Sequence, residues 1–459
     1  MKLMKKSLIL LYSLVCTLII FSSCSDDEKT VLSNDCYMSS FSLGNIKRLV
    51  HITTAAGTDS SYYATYNGSY YTMVIDQRNN TICNIDSLPV ESKTNAILVT
   101  AESSGTIIYR YTNESGENWL SYSSSDSIDF TRPLIFRVVS ADGNATRDYT
   151  VKLNVHQQDG ETFTWNEMKN DAEWNSANQI KSIIWNEKVY VYALYNTQTK
   201  LYSSDLTDGK NWTVLQTNNC ENAMLNTLTS FKDKLYMSCT DGSIIMSTDG
   251  SNWTTHATSV NVSLLTANNR SIYGLRNGLI VRSSDALSWT DETLDDNADK
   301  LPTQDIATIA YTQENGIERV LMLGNRNPSI FTEDTAAVVW SKSISPYQEE
   351  GDKWAYFPWS IYNSNVCPQL KALNLVEYNH VLLALGGSSL NGKHQALDNL
   401  YVSNDNGISW ETNATYTLPE SLKNTSELIT AVADNEYNLW IFAGSKIWKG
   451  RLNKLSFNK

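Results

Sequence analysis

Apolar and polar positions alternate in short runs along nearly the whole chain, and a period of two predicts strands. Over residues 37–157 the runs fall at 70–75, 106–110, 134–139 and 149–155, each closed by polar turn residues. Asp142-Gly143 separates the last two, as a tight hairpin requires. A stretch of about 120 residues patterned in this way predicts one antiparallel β-sandwich.

From residue 162 the alternation continues with a longer repeat laid over it. Ser203-Ser204-Asp205 leads to Trp212, Ser247-Thr248-Asp249-Gly250 to Trp253, Ser283-Ser284-Asp285 to Trp289, Thr332-Glu333-Asp334 to Trp340, and Ser403-Asn404-Asp405-Asn406-Gly407 to Trp410. Each resembles the Asp-box, S-x-D-x-G-x-x-W. The fifth has every residue at the standard spacing; the second and third are one residue shorter, the first is two longer, and the fourth lacks both Ser and Gly. In such a turn Ser and Asp bond the backbone of a tight hairpin, Gly takes the positive-φ corner, and Trp packs back on the strands. Asp205, Asp249, Asp285, Asp334 and Asp405 are therefore read as structural staples between the last two strands of propeller blades.

The blades are expected at residues 177–217, 221–258, 260–293, 304–345, 366–419 and 425–455, with 162–459 as the whole propeller. The last has three strands of its own, and residues 162–165 are expected to supply the fourth and close the ring, leaving no open sheet edge. The count is six blades, with seven as the alternative. Residues 382–387 with 400–402 are also kelch-like.

The first residues carry the address. Lys2, Lys5 and Lys6 precede an apolar run from 8 to 21, too short and wrongly flanked for a membrane-spanning helix, so residues 1–23 read as a signal peptide. Phe21-Ser22-Ser23-Cys24 resembles a bacterial lipobox, which makes Cys24 the lipidated first residue of the mature chain. Residues 24–36 form a short acidic tether, and Ser25, Asp26, Asp27 and Glu28 resemble the signal that carries lipoproteins of Bacteroidota to the outer face of the outer membrane. Residues 75–76, 82–89, 140–143 and 149–157 resemble the N-terminal domain of Bacteroidales surface lipoproteins in which an Ig-like or cadherin-like sandwich precedes a β-propeller. That resemblance implies a sandwich over 37–157, a propeller behind it, and no particular activity. Cys83 stands where the pattern has an aromatic residue.

Composition narrows the partners. The 459 residues carry 36 Lys and Arg against 49 Asp and Glu, a net charge of −13, with no basic cluster, which argues against nucleic acid. Behind Cys24 the cysteines are 36, 83, 220, 239 and 367, too dispersed for a disulfide framework; a bridge between Cys36 and Cys83, both in the first domain, stays open. The histidines at 51, 156, 256, 380 and 394 fall in no metal-ligand spacing, so no metal and no cofactor is expected.

Asp-boxes invite comparison with sialidases, whose chemistry needs three arginines on a carboxylate, a Tyr–Glu pair and an Asp acid. The propeller has only Arg270, Arg276, Arg282, Arg319, Arg326 and Arg451, and no Arg-Ile-Pro motif. Copper-oxidase chemistry, suggested by the kelch likeness, lacks its Tyr–Cys pattern. The segment from 346 to 371, read as an insertion, concentrates Trp354, Tyr356, Phe357, Trp359 and Tyr362 among charged residues. Trp354, Tyr356, Trp359 and Tyr362 are candidate ligand contacts, since flat aromatic faces stack on sugars and anchor protein interfaces, although filling the space under a long loop accounts for the same residues. The expected function is a lipid-anchored, non-catalytic module at the cell surface that binds extracellular glycan or protein; the alternative is a glycan-active hydrolase or lyase with an unrecognised site.

Overall fold

The computed structural model describes residues 32–456 apart from 54–57, 113–117, 169–173, 197, 349–350 and 361. The leader, Cys24 and the acidic residues Ser25, Asp26, Asp27 and Glu28 lie outside the described residues. The chain divides into two compact units, residues 1–157 and 158–459.

In the first unit a six-stranded sheet runs in the order Met73–Asp76, Thr81–Asn84, Thr146–Lys152, Leu134–Val139, Thr106–Tyr111 and Leu120–Ser121. A three-stranded sheet of Met38–Leu43, Ile97–Ser103 and Ser127–Ile128 shares its core. Alternation decides the faces: Leu134, Phe136 and Val138 point inward, and Phe136 meets Phe41 of the opposing sheet edge-on at 5.4 Å. Among the described strands of this unit pairing is antiparallel except in one place. Thr81–Asn84 runs parallel to Thr146–Lys152, with Val151 opposite Ile82, which corrects the expectation of a wholly antiparallel unit. The cause is a crossover: the chain leaves Thr81–Asn84 and builds six other strands before returning beside it. Cys36 and Cys83 are both free thiols.

Among the described residues the second unit holds six sheets. Five have four strands each, beginning with Gln179–Trp185, Ser263–Ala267 and Gln304–Thr312 in the first, third and fourth, and Thr229–Phe231 in the second; the fifth has the three strands Asn374–Tyr378, Val381–Leu385 and Tyr401–Ser403. The sixth joins Ile429–Ala433, Leu439–Ala443 and Lys446–Leu452 to Phe163–Met168 from the start of the unit, with Phe163 opposite Leu452 and Met168 opposite Ile447. Each sheet shares a separate apolar core with the next. The last shares one with the first, where Trp174, Val191 and Tyr202 pack on Trp440, Phe442 and Ile447.

Short polar side chains tie the first strands together near the common axis. Ser182 of the first sheet donates its amide to Thr430 Oγ1 of the sixth at 2.9 Å, and Asn374 of the fifth accepts from the Ala431 amide at 3.1 Å. Thr308 of the fourth reaches the Leu265 carbonyl of the third at 2.8 Å. Ser, Thr and Asn fit here because first strands converge where large side chains have no room, while their backbone-directed groups remain satisfied.

The turns between third and fourth strands correct the expected boxes. In the second sheet Asp249 Oδ1 accepts the amides of Ser251 and Asn252 at 2.9 and 2.7 Å, and Ser247 Oγ accepts from Gly250 at 2.9 Å. Burial alone would raise the Asp249 pKa, but bonds from the Asn252 side chain and the turn amides prevail and hold it well below the carboxylate range. Asp285 and Asp405 cap their turns likewise, taking the Ser288 amide at 2.8 Å and the Ser409 amide at 2.9 Å. Asp205 does not: its carboxylate pairs with Lys188 at 3.3 Å, and Asp208 takes the Asn211 amide, because the two extra residues shift the cap along the chain.

Asp334 is no turn staple either. Arg326 holds it in a two-pronged ion pair, and Trp340 sits inside the strand Val338–Ile344. The fourth sheet therefore extends past residue 345: its last strand is Ala355–Phe357, pairing Tyr356 with Trp340. Trp354 is the residue just before that strand, as Trp253 is before Thr254–Ala257. Three residues ahead of Trp212, Trp253, Trp289, Trp354 and Trp410 stand Gly209, Gly250, Ala286, Gly351 and Gly407, all at positive φ between +60° and +89°. A Cβ at Gly407 would come within 2.2 Å of Leu321 Cδ1. The repeating physical unit is thus a left-handed corner three residues before a packing Trp, and the segment read as an insertion is the fourth sheet's own connection.

Candidate functional site

Two-residue turns join the first and second strands of several sheets: Asn186-Glu187, Lys232-Asp233 and Asn379-His380. All six residues have positive φ, from +46° to +67°. Such mirror-image turns match the strand twist, but they favour Asn and Gly; Glu, Lys, Asp and His there cost about 1 kcal/mol each in backbone strain. The first two turns, with Asn268 and Asn269 of the third sheet, Tyr311 and Thr312 of the fourth and Asn435 of the sixth, line a cup of about 620 Å³ at one end of the axis.

The walls of the cup are fixed and its rim is polar. Trp185 and Phe231 are buried beneath it. Asn268 Oδ1 accepts the amides of Arg270 and Ser271, and its Nδ2 donates to Glu318 at 2.6 Å, so this amide is structural. Lys232 Nζ donates to the Ser284 carbonyl at 2.8 Å, which orients its ammonium across to the third sheet. Beside the cup a smaller hollow of about 270 Å³ is lined by Tyr311, Gln313, Glu314, Glu377, His380 and Asn406. Tyr311 donates to Asn406 Oδ1 at 3.0 Å, and burial pushes its phenol up to about 12, so the hydroxyl stays a hydrogen-bond donor at neutral pH.

The sequence-derived contacts lie elsewhere. Trp354 is enclosed at 1 % exposure, its Nε1 donating to Glu292 Oε2 at 3.0 Å and its ring edge-on to Tyr273, so neither face is open to a ligand. Tyr356 is half-buried against Trp340. Trp359 and Tyr362 are exposed, at 56 % and 93 %, on the loop after the fourth sheet, and neither lines the cup. The two turns that do line it escape sequence reading, since Lys-Asp carries no turn signature; only Asn186, opening the other, hints at positive φ.

The arginines are engaged by separate partners: Arg276 by Asp291 at 3.0 Å, Arg282 by Glu292 at 3.0 Å, Arg319 by Gln313 at 3.2 Å, and Arg326 by Asp334. Arg270 donates to the Gln348 carbonyl and Arg451 to the Leu455 carbonyl. Among the described residues no group of three or more His, Cys, Asp or Glu side chains is disposed to hold a metal ion.

Comparison with known structures finds low likeness over long stretches. A DUF4623 family protein from Bacteroides eggerthii is 13 % identical with a TM-score of 0.35, covering 91 % of this chain and 98 % of that one. A streptogramin B lyase is 11 % identical with a TM-score of 0.36, covering 63 % and 97 %. YCF48 bound to D1 peptide is 11 % identical with a TM-score of 0.33, covering 63 % and 95 %. No curated protein matches the chain. Family models do match: the DUF6242 N-terminal domain, of unknown function, over residues 41–153 and the DUF6242 beta propeller domain over residues 159–459. The chain therefore belongs to the DUF6242 family, an all-β protein whose second unit is that family's β-propeller domain.

Proposed function

We propose that the protein is a non-catalytic binding module for extracellular glycan, anchored to the outer membrane through Cys24 and facing outward. In this reading the first unit is an Ig-like or cadherin-like sandwich and the propeller has six blades, as six sheets with six intervening cores support. The observation that carries the binding assignment is the set of charged and polar side chains held at positive φ around the cup. Glycine would relieve the strain at Glu187, Lys232 and Asp233, so side chains retained there are the mark of a functional rim. Amides and charged groups over a cup of this volume suit a hydroxyl-rich ligand.

Presenting the soluble chain (residue 25 onward) to arrays of glycans and host proteins tests the assignment. Glycan binding is expected to weaken about tenfold in a Lys232→Gly, Asp233→Gly variant. The same variant should keep its stability or gain up to about 1 kcal/mol per residue, because strain is relieved. Undiminished glycan binding, or a ligand that is always a protein, would overturn the reading.

The anchor rests on the lipobox-like residues and the acidic run behind them. Several acyl chains on Cys24 make attachment stable where one is marginal. Cys24→Ala should abolish acyl labelling and release or stall the protein, and persistent labelling would sink the proposal. Replacing Asp26, Asp27 and Glu28 by Ala should leave the protein lipidated but shielded from protease on whole cells.

A further inference from the structure

The three strained turns divide between two cavities. Asn186-Glu187 and Lys232-Asp233 line the cup, whereas His380 of the third turn lines the hollow beside it. Tyr311 and Thr312 belong to both walls, so cup and hollow are two parts of one groove that meet at the end of Gln304–Thr312, the first strand of the fourth sheet. That ridge is fixed. Tyr311 packs on the core shared by the fourth and fifth sheets, and Asn406 Oδ1 takes both its hydroxyl at 3.0 Å and Gln313 Nε2 at 2.7 Å. Arg319, outside both walls, donates to Gln313 Oε1 at 3.2 Å and so sets the orientation of that amide.

The groups left uncommitted in the hollow suit hydroxyls. Asn406 gives its oxygen to Tyr311 and Gln313, and its Nδ2 makes no hydrogen bond among the described residues. Glu377 Oε1 accepts the His380 amide at 2.7 Å, which leaves Oε2 as an acceptor. Glu314, mostly exposed, stands 3.4 Å from His380 Nε2. Charge decides what the groove turns away. Its described walls carry Glu187 and Asp233 in the cup and Glu314 and Glu377 in the hollow, against the imidazole of His380 and the ammonium of Lys232, which already donates to the Ser284 carbonyl. Even with the imidazole charged the sum is negative. A chain bearing carboxylates or sulfates meets like charge in both parts of the groove, whereas an uncharged chain of hydroxyls meets none.

We propose that cup and hollow together bind one uncharged oligosaccharide chain laid across the Tyr311–Thr312 ridge, with the hollow as the subsite that selects for chain length and turns away acidic sugars. The inference rests on the glycan reading of the cup and adds the form of the glycan. At about 620 Å³ the cup lies within the range of ligand pockets, and at about 270 Å³ the hollow is at its small end, which suits a short stretch of the same chain rather than a second ligand. Joining two weak subsites through one chain makes the second contact intramolecular, so affinity rises with length until both are filled.

Calorimetric titration of the full-length protein with cello-, malto-, manno- and galacto-oligosaccharides of one to six residues tests the groove. At least one series should bind, with affinity rising about tenfold or more from its two-residue to its six-residue member. Oxidising the primary hydroxyls of that six-residue chain to carboxylates should weaken binding about tenfold at low salt and by less at high salt. A Glu314→Gln, Glu377→Gln variant, which removes the charges and keeps the shapes, should narrow the gap between oxidised and neutral chain. Asn406→Gly, at a φ of +63° that glycine accepts, should bring the six-residue affinity down to that of the two-residue chain when measured below its melting temperature. Affinity that does not depend on length, an oxidised chain bound as tightly as the neutral one, or no gain in the double Gln variant overturns this proposal and leaves the glycan reading standing. Binding to the glycan arrays with none of these four series bound does the same. No glycan bound on the arrays overturns both.

Discussion

Trp354→Ala is expected to lower the stability of the propeller by about 3–5 kcal/mol, the cost of deleting a fully enclosed aromatic ring. The ring stands 5.9 Å from Tyr273, between the third and fourth sheets, and its Nε1–H is one of the donors on a buried carboxylate. Its removal leaves a void that surrounding strands cannot fill, since both sheets are pinned by their ladders. At roughly 2–4 °C per kcal/mol the melting temperature should fall by at least 6 °C. Trp359→Ala supplies the contrast. That ring is 56 % exposed and should change stability by no more than about 0.5 kcal/mol. Differential scanning calorimetry of the two variants decides it: a Trp354→Ala protein that melts with the parent yet fails to bind ligand would show that the ring faces a ligand after all.

The contrast between those two tryptophans marks what a reader of the sequence has to work with. Strand alternation, the Asp-Gly hairpin and the closing pairing of Phe163–Met168 with Lys446–Leu452 are legible, because each depends on local period or on which strand lacks a neighbour. The boxes at Trp253 and Trp410 are legible for a steric reason: Gly250 and Gly407 take φ values of +82° and +89° at the corner. Asp334 and Trp340 imitate a box by composition alone. The discriminating feature is the positive-φ corner three before the tryptophan, present at Gly351 and even at Ala286 but not at Ala337 before Trp340, because a left-handed corner is harder to replace than a capping side chain. The first sheet makes the same point, where Asp208 caps and Asp205 does not.

The cavities were not legible, and for a different reason. The cup gathers turns from the first and second sheets with residues of the third, fourth and sixth, and a cavity of about 280 Å³ at the opposite end of the axis gathers the starts of first strands. Both depend on how sheets converge on an axis, which no local period records. Lys181, half-buried between buried Ile180 and Ser182, alternates as any strand residue would; only the arrangement of the sheets brings it to a cavity wall.

Glu292 carries the second large expectation. Its side chain is 5 % exposed and receives Arg282 at 3.0 Å, Trp354 Nε1 at 3.0 Å and the ammonium of Lys342, itself 4 % exposed. Glu292→Ala leaves Lys342 buried with no counter-charge, a loss of about 3–5 kcal/mol. Much of that loss comes from the stranded lysine rather than from the pair itself. Pairing Glu292→Ala with Lys342→Met should therefore recover stability, giving a coupling of about 1–3 kcal/mol in a double-mutant cycle measured by urea unfolding. Arg282, at 23 % side-chain exposure, reaches solvent and needs no second change. If the double variant loses the plain sum of the two single losses, the carboxylate and the ammonium act independently, and the buried pair is not what joins the third sheet to the fourth.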